Sequence, residues 1–142
     1  MRSKRMQPIA HHADQKQQQA VQVFVAAQQA VVDAQLQLEQ LLDYRVEYSS
    51  NRMNVGLNAL QLRDYQIFLD KLNLSIDQAR DNILLKKQQC EKQKLLWLKT
   101  RSRSKALDAV IEKYKLQEAA LANRIEQKEQ DEQATRISLK PK

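Results

Sequence analysis

Apolar residues recur along most of the chain at alternating spacings of four and three positions. A repeat that averages about 3.5 residues is typical of a coiled-coil helix, because it keeps one apolar stripe turned toward a partner helix. The first stripe consists of Ala20, Phe24, Ala27, Val31, Ala34, Leu38, Leu41 and Tyr48. Arg45 replaces an apolar residue near its end. This stripe predicts a first helix over residues 13–50.

A cluster of turn-forming residues interrupts the pattern after Tyr48. It contains two serines, two asparagines and Gly56, the single glycine of the chain. The two prolines, Pro8 and Pro141, lie at the ends of the sequence, so they break nothing in between. Serine, asparagine and glycine favour turns, and the cluster therefore predicts a bend at residues 51–58.

A second stripe runs from Leu62 to Lys128 without a change of register and predicts a second helix over residues 59–136. The first set of its seam positions is Leu62, Leu69, Ile76, Ile83, Cys90, Trp97, Ser104, Ile111, Glu118 and Ile125. The other set is Tyr65, Leu72, Ala79, Lys86, Gln93, Thr100, Leu107, Tyr114, Leu121 and Lys128. The seam is apolar at both ends and polar in the middle, from Lys86 to Ser104.

These elements predict an all-α fold, a long antiparallel two-helix coiled-coil hairpin over residues 13–136. Flexible tails are expected at 1–12 and 137–142. A bend near residue 55 would place Tyr48 opposite Leu62, Leu41 opposite Leu69 and Ala20 opposite Cys90. The first helix would then end opposite residue 100 or so, and part of the second stripe would need another protein or a second copy as its partner. These unpaired residues are Leu107, Ile111, Tyr114, Leu121 and Ile125.

The sequence contains no constellation typical of catalysis, metal binding or cofactor binding. It lacks a glycine-rich phosphate loop, a zinc-binding His-Glu pattern and a nucleophile elbow. His11 and His12 fall in the predicted tail, and Cys90 falls on the seam as a small apolar residue. We therefore expect a protein that is not an enzyme and has no cofactor. The lack of a long apolar run and of a secretory signal favours the cytoplasm.

The formal net charge is +7, and most of the excess lies in one stretch, from Lys86 to Lys105. This stretch holds eight basic residues and one acidic residue, Glu91. It could be a solvated face, meet an acidic protein partner or bind nucleic acid. Trp97 is its one aromatic residue and falls on the seam, which disfavours stacking on nucleic-acid bases. No nucleic-acid partner is expected.

Several segments resemble the FliJ family of flagellar type III export proteins. Residues 38–48 place leucines before Tyr44 and Tyr48, and residues 62–72, beyond the turn, read LRDYQIFLDKL. Residues 97–107, from Trp97 to Leu107, and residues 124–132, which read RIEQKEQDE, are also similar to that family. The resemblance covers residues 36–136.

The resemblance implies a hairpin similar to the central stalk of rotary ATPases. It implies that the chain binds and stimulates the hexameric export ATPase and escorts export chaperones. It also implies binding to the cytoplasmic part of the membrane export gate, and thus peripheral association with the inner membrane at the flagellar base. The positions that match the family's gate-binding face are Gln37, Leu41, Tyr44, Tyr48, Phe68, Leu72, Ser75 and Ala79. An equivalent stalk protein of a virulence secretion system and a basic nucleic-acid-binding coiled coil are the alternative functions.

Overall fold

The computed structural model describes residues 1–53 and 56–139. Helix α1 spans Arg2–Met53 and helix α2 spans Ala59–Leu139. The two helices pack against each other as a hairpin, and the described ranges contain no strand. The predicted all-α antiparallel two-helix hairpin is therefore confirmed. The predicted bend at residues 51–58 includes Asn54 and Val55, which lie outside the described residues.

The predicted seam of α1 is confirmed, because every residue of the first stripe is buried or half-buried. The same spacing of three and four continues toward the N-terminus through Gln17, Ala13, Ala10, Met6 and Ser3. Ser3, Ala10 and Ala13 are buried. Small residues at these positions let the second helix approach closely, so the seam reaches almost to the start of the chain.

The predicted flexible tail over residues 1–12 is helical instead, because α1 begins at Arg2. The Ser3 hydroxyl and backbone N–H both donate to the carboxylate of Glu118, at 2.6 and 3.1 Å. The Arg2 guanidinium lies 5.8 Å from the centroid of the Tyr114 ring. Pro8 is exposed and off the seam, so its ring removes one helical hydrogen bond but does not interrupt the packed face. These contacts depend on α2, and the spacing that continues through residues 3–17 did not predict them, because its side chains are mostly small or polar.

The predicted register of α2 is confirmed from Tyr65 to Glu118. Every seam position in this range is buried or half-buried, including the polar residues Lys86, Gln93 and Ser104. The prediction for Leu62 is wrong, since its side chain is 55 % exposed. From residue 119 to 139 every residue is exposed. The packed seam of α2 is therefore shorter at both ends than the stripe in the sequence.

The predicted stagger between the helices is also wrong. Tyr48 packs on Phe68, with ring centroids 4.4 Å apart, and not on Leu62. Phe24 packs edge-on against Trp97 at 5.5 Å, and Cys90 lies beside Val31 rather than Ala20. The position of the bend in the sequence therefore does not fix which residues of the two helices face each other. Side-chain packing sets this alignment.

A reciprocal cap begins α2. The Asn58 side chain accepts a hydrogen bond from the backbone N–H of Gln61 at 2.8 Å, and the Gln61 side chain accepts one from Asn58 at 3.1 Å. This capping box satisfies two N–H groups that the helix leaves unpaired. Gly56 has an ordinary negative φ and open space around its α-carbon. The bend therefore does not require glycine, although glycine helped to predict it.

Contacts divide the chain into two compact units, each with a segment of both helices. The bend-proximal unit is Gln19–Trp97. The terminal unit combines Met1–Gln18 with the described residues from Leu98 onward. Helix α2 ends at Leu139, three residues beyond the predicted end, and residues 140–142 of the predicted C-terminal tail lie outside the described residues.

We predict that Ile76→Ala destabilises the hairpin by about 2–5 kcal/mol, because it leaves a cavity at a side chain that is 1 % exposed. Urea unfolding followed by circular dichroism measures the loss. Leu74→Ala on the same helix is the matched control. The Leu74 side chain is 58 % exposed, so that change should stay within about 0.5 kcal/mol of wild type. Equal effects of the two substitutions would contradict the assignment of the seam.

A second prediction concerns the terminal unit. The hydrogen bond from the Ser3 hydroxyl, followed by that from the Ser3 N–H, lowers the pKa of the Glu118 carboxyl below its usual value. Ser3→Ala should raise that pKa toward the usual value, because the larger cause is removed. An NMR titration of the Glu118 carboxyl carbon measures the change, and Ser102→Ala, an exposed site on α2, should leave the pKa unaltered.

The sign of the pH effect follows from the direction of this shift. A carboxyl whose pKa is lower in the folded chain stabilises the fold above its unfolded pKa, roughly 4.3, and loses that contribution as the pH falls through the folded value. We expect the protection of the first α1 amides against hydrogen exchange, measured relative to the intrinsic rate at each pH, to fall over this acidic range in wild type. In Ser3→Ala these amides should exchange faster already at neutral pH. Identical exchange profiles would contradict the assignment.

Candidate protein-binding surface

Four aromatic rings from both helices form one cluster next to the bend, which we call the aromatic patch: Tyr44, Tyr48, Tyr65 and Phe68. Tyr48 is at its centre. Its ring stacks on Tyr65 at 5.3 Å, packs against Phe68 at 4.4 Å and lies 6.4 Å from Tyr44. Tyr44 and Phe68 meet edge-on at 6.1 Å. Spacings of four on α1 and three on α2 place the rings of each helix on one face, and antiparallel packing brings the faces together.

The rings differ in how much of them reaches solvent. Tyr44 is 49 % exposed, whereas Tyr48, Tyr65 and Phe68 are half-buried. Tyr44 immediately precedes the seam residue Arg45 and is therefore one position off the seam. Its ring covers the edge of the seam. An aromatic side chain in this position combines apolar area with a hydroxyl available to a partner, which is typical of an interface anchor.

Four other predicted residues line a groove on the same unit: Gln37, Leu41, Ser75 and Ala79. Gln37 and Ser75 are exposed, Leu41 is half-buried and Ala79 is buried. Leu72, the remaining predicted residue, is also buried in the seam. The structure therefore brings all eight predicted residues into the bend-proximal unit. Leu72 and Ala79 are buried and stabilise the helix pair. The other six predicted residues form the accessible surface.

Polar contacts that the pattern did not predict support this surface. The Arg45 guanidinium, which replaces an apolar seam residue, donates to the side-chain oxygen of Asn73 at 3.1 Å. The Tyr65 hydroxyl donates to Ser49 at 3.3 Å. Gln78 and Asn82 add amide groups to the groove wall. Only Arg45 indicated such a contact in the sequence, because a charged residue on an apolar stripe needs a polar partner on the facing helix.

The terminal unit covers part of the stripe that was predicted to lack a partner. Ile111 is buried, and Leu107 and Tyr114 are half-buried, because residues 2–18 of α1 extend along this part of α2. The expectation that these three lack a partner within the chain is wrong, and the cause is the early start of α1. Leu121 and Ile125, at 55 and 53 % exposed, remain open on the surface.

The remaining candidate groups show no arrangement typical of chemistry. Lys87, Lys92 and Lys94 of the basic stretch point to solvent, and Lys86 is half-buried on the seam. In residues 1–53 and 56–139, no three His, Cys, Asp or Glu side chains form a group that could hold a metal ion. Neither described helix has an apolar segment of the length and hydropathy needed to cross a membrane. The accessible features are therefore edges and grooves along a helix pair, which suit binding.

Comparison with known proteins agrees with this description. A family model described as "Flagellar FliJ protein" matches residues 2–142. The chain is similar to the "Flagellar FliJ protein" of Escherichia coli strain K12, with 25 % identity over 131 residues, which is 90 % of this chain and 89 % of that protein. No solved structure matches the chain significantly.

Proposed function

Because the chain belongs to the FliJ family of flagellar proteins, we propose that it serves flagellar type III protein export as a non-enzymatic coiled coil. In this role it binds and stimulates the hexameric export ATPase, contacts the cytoplasmic part of the export gate and escorts export chaperones. Its association with the inner membrane at the flagellar base is peripheral and results from gate binding. The flagellar family match favours this apparatus over a virulence secretion system.

The observation that carries the proposal is the joint surface of both helices in the bend-proximal unit. The aromatic patch and the neighbouring groove together hold seven of the eight residues that match the family's gate-binding face, all but the buried Leu72. Tyr44 offers a half-exposed ring, and Gln37 and Ser75 offer polar groups beside it. A rigid aromatic anchor next to hydrogen-bonding side chains is the usual composition of a binding hot spot.

The terminal unit supports the proposed ATPase contact in a different way. Leu121 and Ile125 lie four residues apart on α2, beyond the last α1 contact at Glu118. This stretch of α2 has no packed neighbour among the described residues, so burial of its apolar side chains by a partner would stabilise it. A protein ring that encloses this stretch would supply such a partner.

The ATPase role is tested by measuring ATP hydrolysis by the export ATPase of the same organism with and without this chain. We expect faster hydrolysis with wild type, and a loss of most of that stimulation with Leu121→Asp/Ile125→Asp, because aspartate at these positions opposes burial. Leu116→Asp/Ile137→Asp is the control, since both residues are exposed and lie off the stripe. Absence of stimulation together with absence of co-purification would refute this part of the proposal.

The gate role is tested with Tyr44→Ala/Phe68→Ala. We expect binding to the isolated cytoplasmic part of the gate to weaken by roughly tenfold or more, because two anchor rings are lost. Helicity by circular dichroism should remain near wild type. Val46→Ala/Leu60→Ala removes two exposed apolar side chains, one from each helix, and should not change binding. Loss of helix in the first variant would assign the rings to the core and reject the interface.

A further inference from the structure

A groove of about 240 Å³ lies between α1 and α2 within the terminal unit. The buried Ala13 and the half-buried Thr100 form its floor, while the exposed side chains of Ile9, His12, Lys16, Lys99 and Arg103 border it. Long basic side chains can lay their methylene groups along such a floor and keep the charge at the edge. We call this feature the basic groove.

The cations of the basic groove are not neutralised by any acidic side chain that the structure describes. In residues 1–53 and 56–139, none of Lys16, Lys99 and Arg103 has a carboxylate oxygen within 4.0 Å. A groove between two helices that combines an apolar floor with an unneutralised cationic rim fits one kind of occupant. This is a helix that presents apolar residues followed by carboxylates.

The chain itself contains such a helix surface. Leu121, Ile125, Glu129 and Glu132 follow one another at spacings of four, four and three on α2, so they share one face. We call this face the acidic stripe. All four residues are exposed, and in the described chain neither Glu129 nor Glu132 has a basic nitrogen within 4.0 Å. The apolar side chains of the acidic stripe are therefore unburied and its carboxylates unpaired within the described residues. The basic groove could bury the former and pair with the latter.

The groove and the stripe of one chain cannot meet each other. Both include residues of the same continuous helix α2, and Leu121 follows Arg103 by 18 positions, which separates them by about 27 Å along the helix axis. We propose that, in copies that are not bound to the ATPase, the acidic stripe of one copy docks in the basic groove of a second copy. A twofold dimer satisfies both copies, because each supplies one groove and one stripe, as an isologous interface requires.

Sedimentation velocity of the full-length chain tests the association directly. We expect a dimer that forms with rising concentration at low ionic strength and dissociates as salt is added, because exposed charge pairs are screened. A chain that stays monomeric at low salt up to high micromolar concentration would overturn the proposal and leave the groove to an acidic segment of a different protein.

Charge exchange tests the residues. We expect Lys99→Glu/Arg103→Glu and Glu129→Lys/Glu132→Lys each to weaken self-association by on the order of 30-fold, because each places like charges in both contacts of the dimer. An equimolar mixture should restore the dimer. In that heterodimer the wild-type stripe meets the wild-type groove in one contact, and the two reversed surfaces meet in the other.

Matched controls separate the proposed contact from a general effect of net charge. Lys92→Glu/Lys94→Glu and Glu126→Lys/Asp131→Lys change the charge by the same amounts at exposed positions outside the groove and the stripe. They should leave the dimer near wild-type strength, and circular dichroism should show full helicity for all four variants. Equal weakening by the controls, or a mixture of the two test variants that remains monomeric, would overturn the proposal.

Discussion

The apolar seam between α1 and α2 is the interaction on which the other features of this chain depend. A two-helix hairpin has a core only one side chain deep, so a residue one position off the seam is already partly exposed. Ile76 is the largest fully buried side chain in the described residues. Alanines at seam positions such as Ala13, Ala34 and Ala79 bring the helices close together and compensate for the small volume of the core.

Polar contacts across the seam give it a unique stagger. A repeat of apolar residues alone allows one helix to slide along the other by a heptad and still bury a stripe. Arg45 bonded to Asn73, Tyr65 bonded to Ser49 and Ser3 bonded to Glu118 each pair correctly in one alignment. A slip would leave these groups without partners, which costs more than their hydrogen bonds contribute in the native alignment.

The narrow seam also explains why the candidate surfaces lie along its edges. A pair of helices encloses no interior in which reacting groups could be shielded from water, so recognition falls to residues that border the seam. Tyr44 and Phe68 were predictable as residues at the edge of the seam, because they deviate from their stripes by one position. The amides of Gln78 and Asn82, and the basic groove, were not predictable, because each depends on which residues of the facing helix lie alongside.

Helix content, the bend and the register from Tyr65 to Glu118 were determined by the sequence alone, because periodicity and turn chemistry are local properties of the chain. The tertiary structure decided three other features: the start of α1 at Arg2, the stagger that pairs Phe24 with Trp97, and the exposure of Leu121 and Ile125 beyond the last contact of α1. Each is set by contacts between residues far apart in the chain. Ser3 and Glu118 are the clearest case, since neither side chain indicates its partner until the two helices are packed.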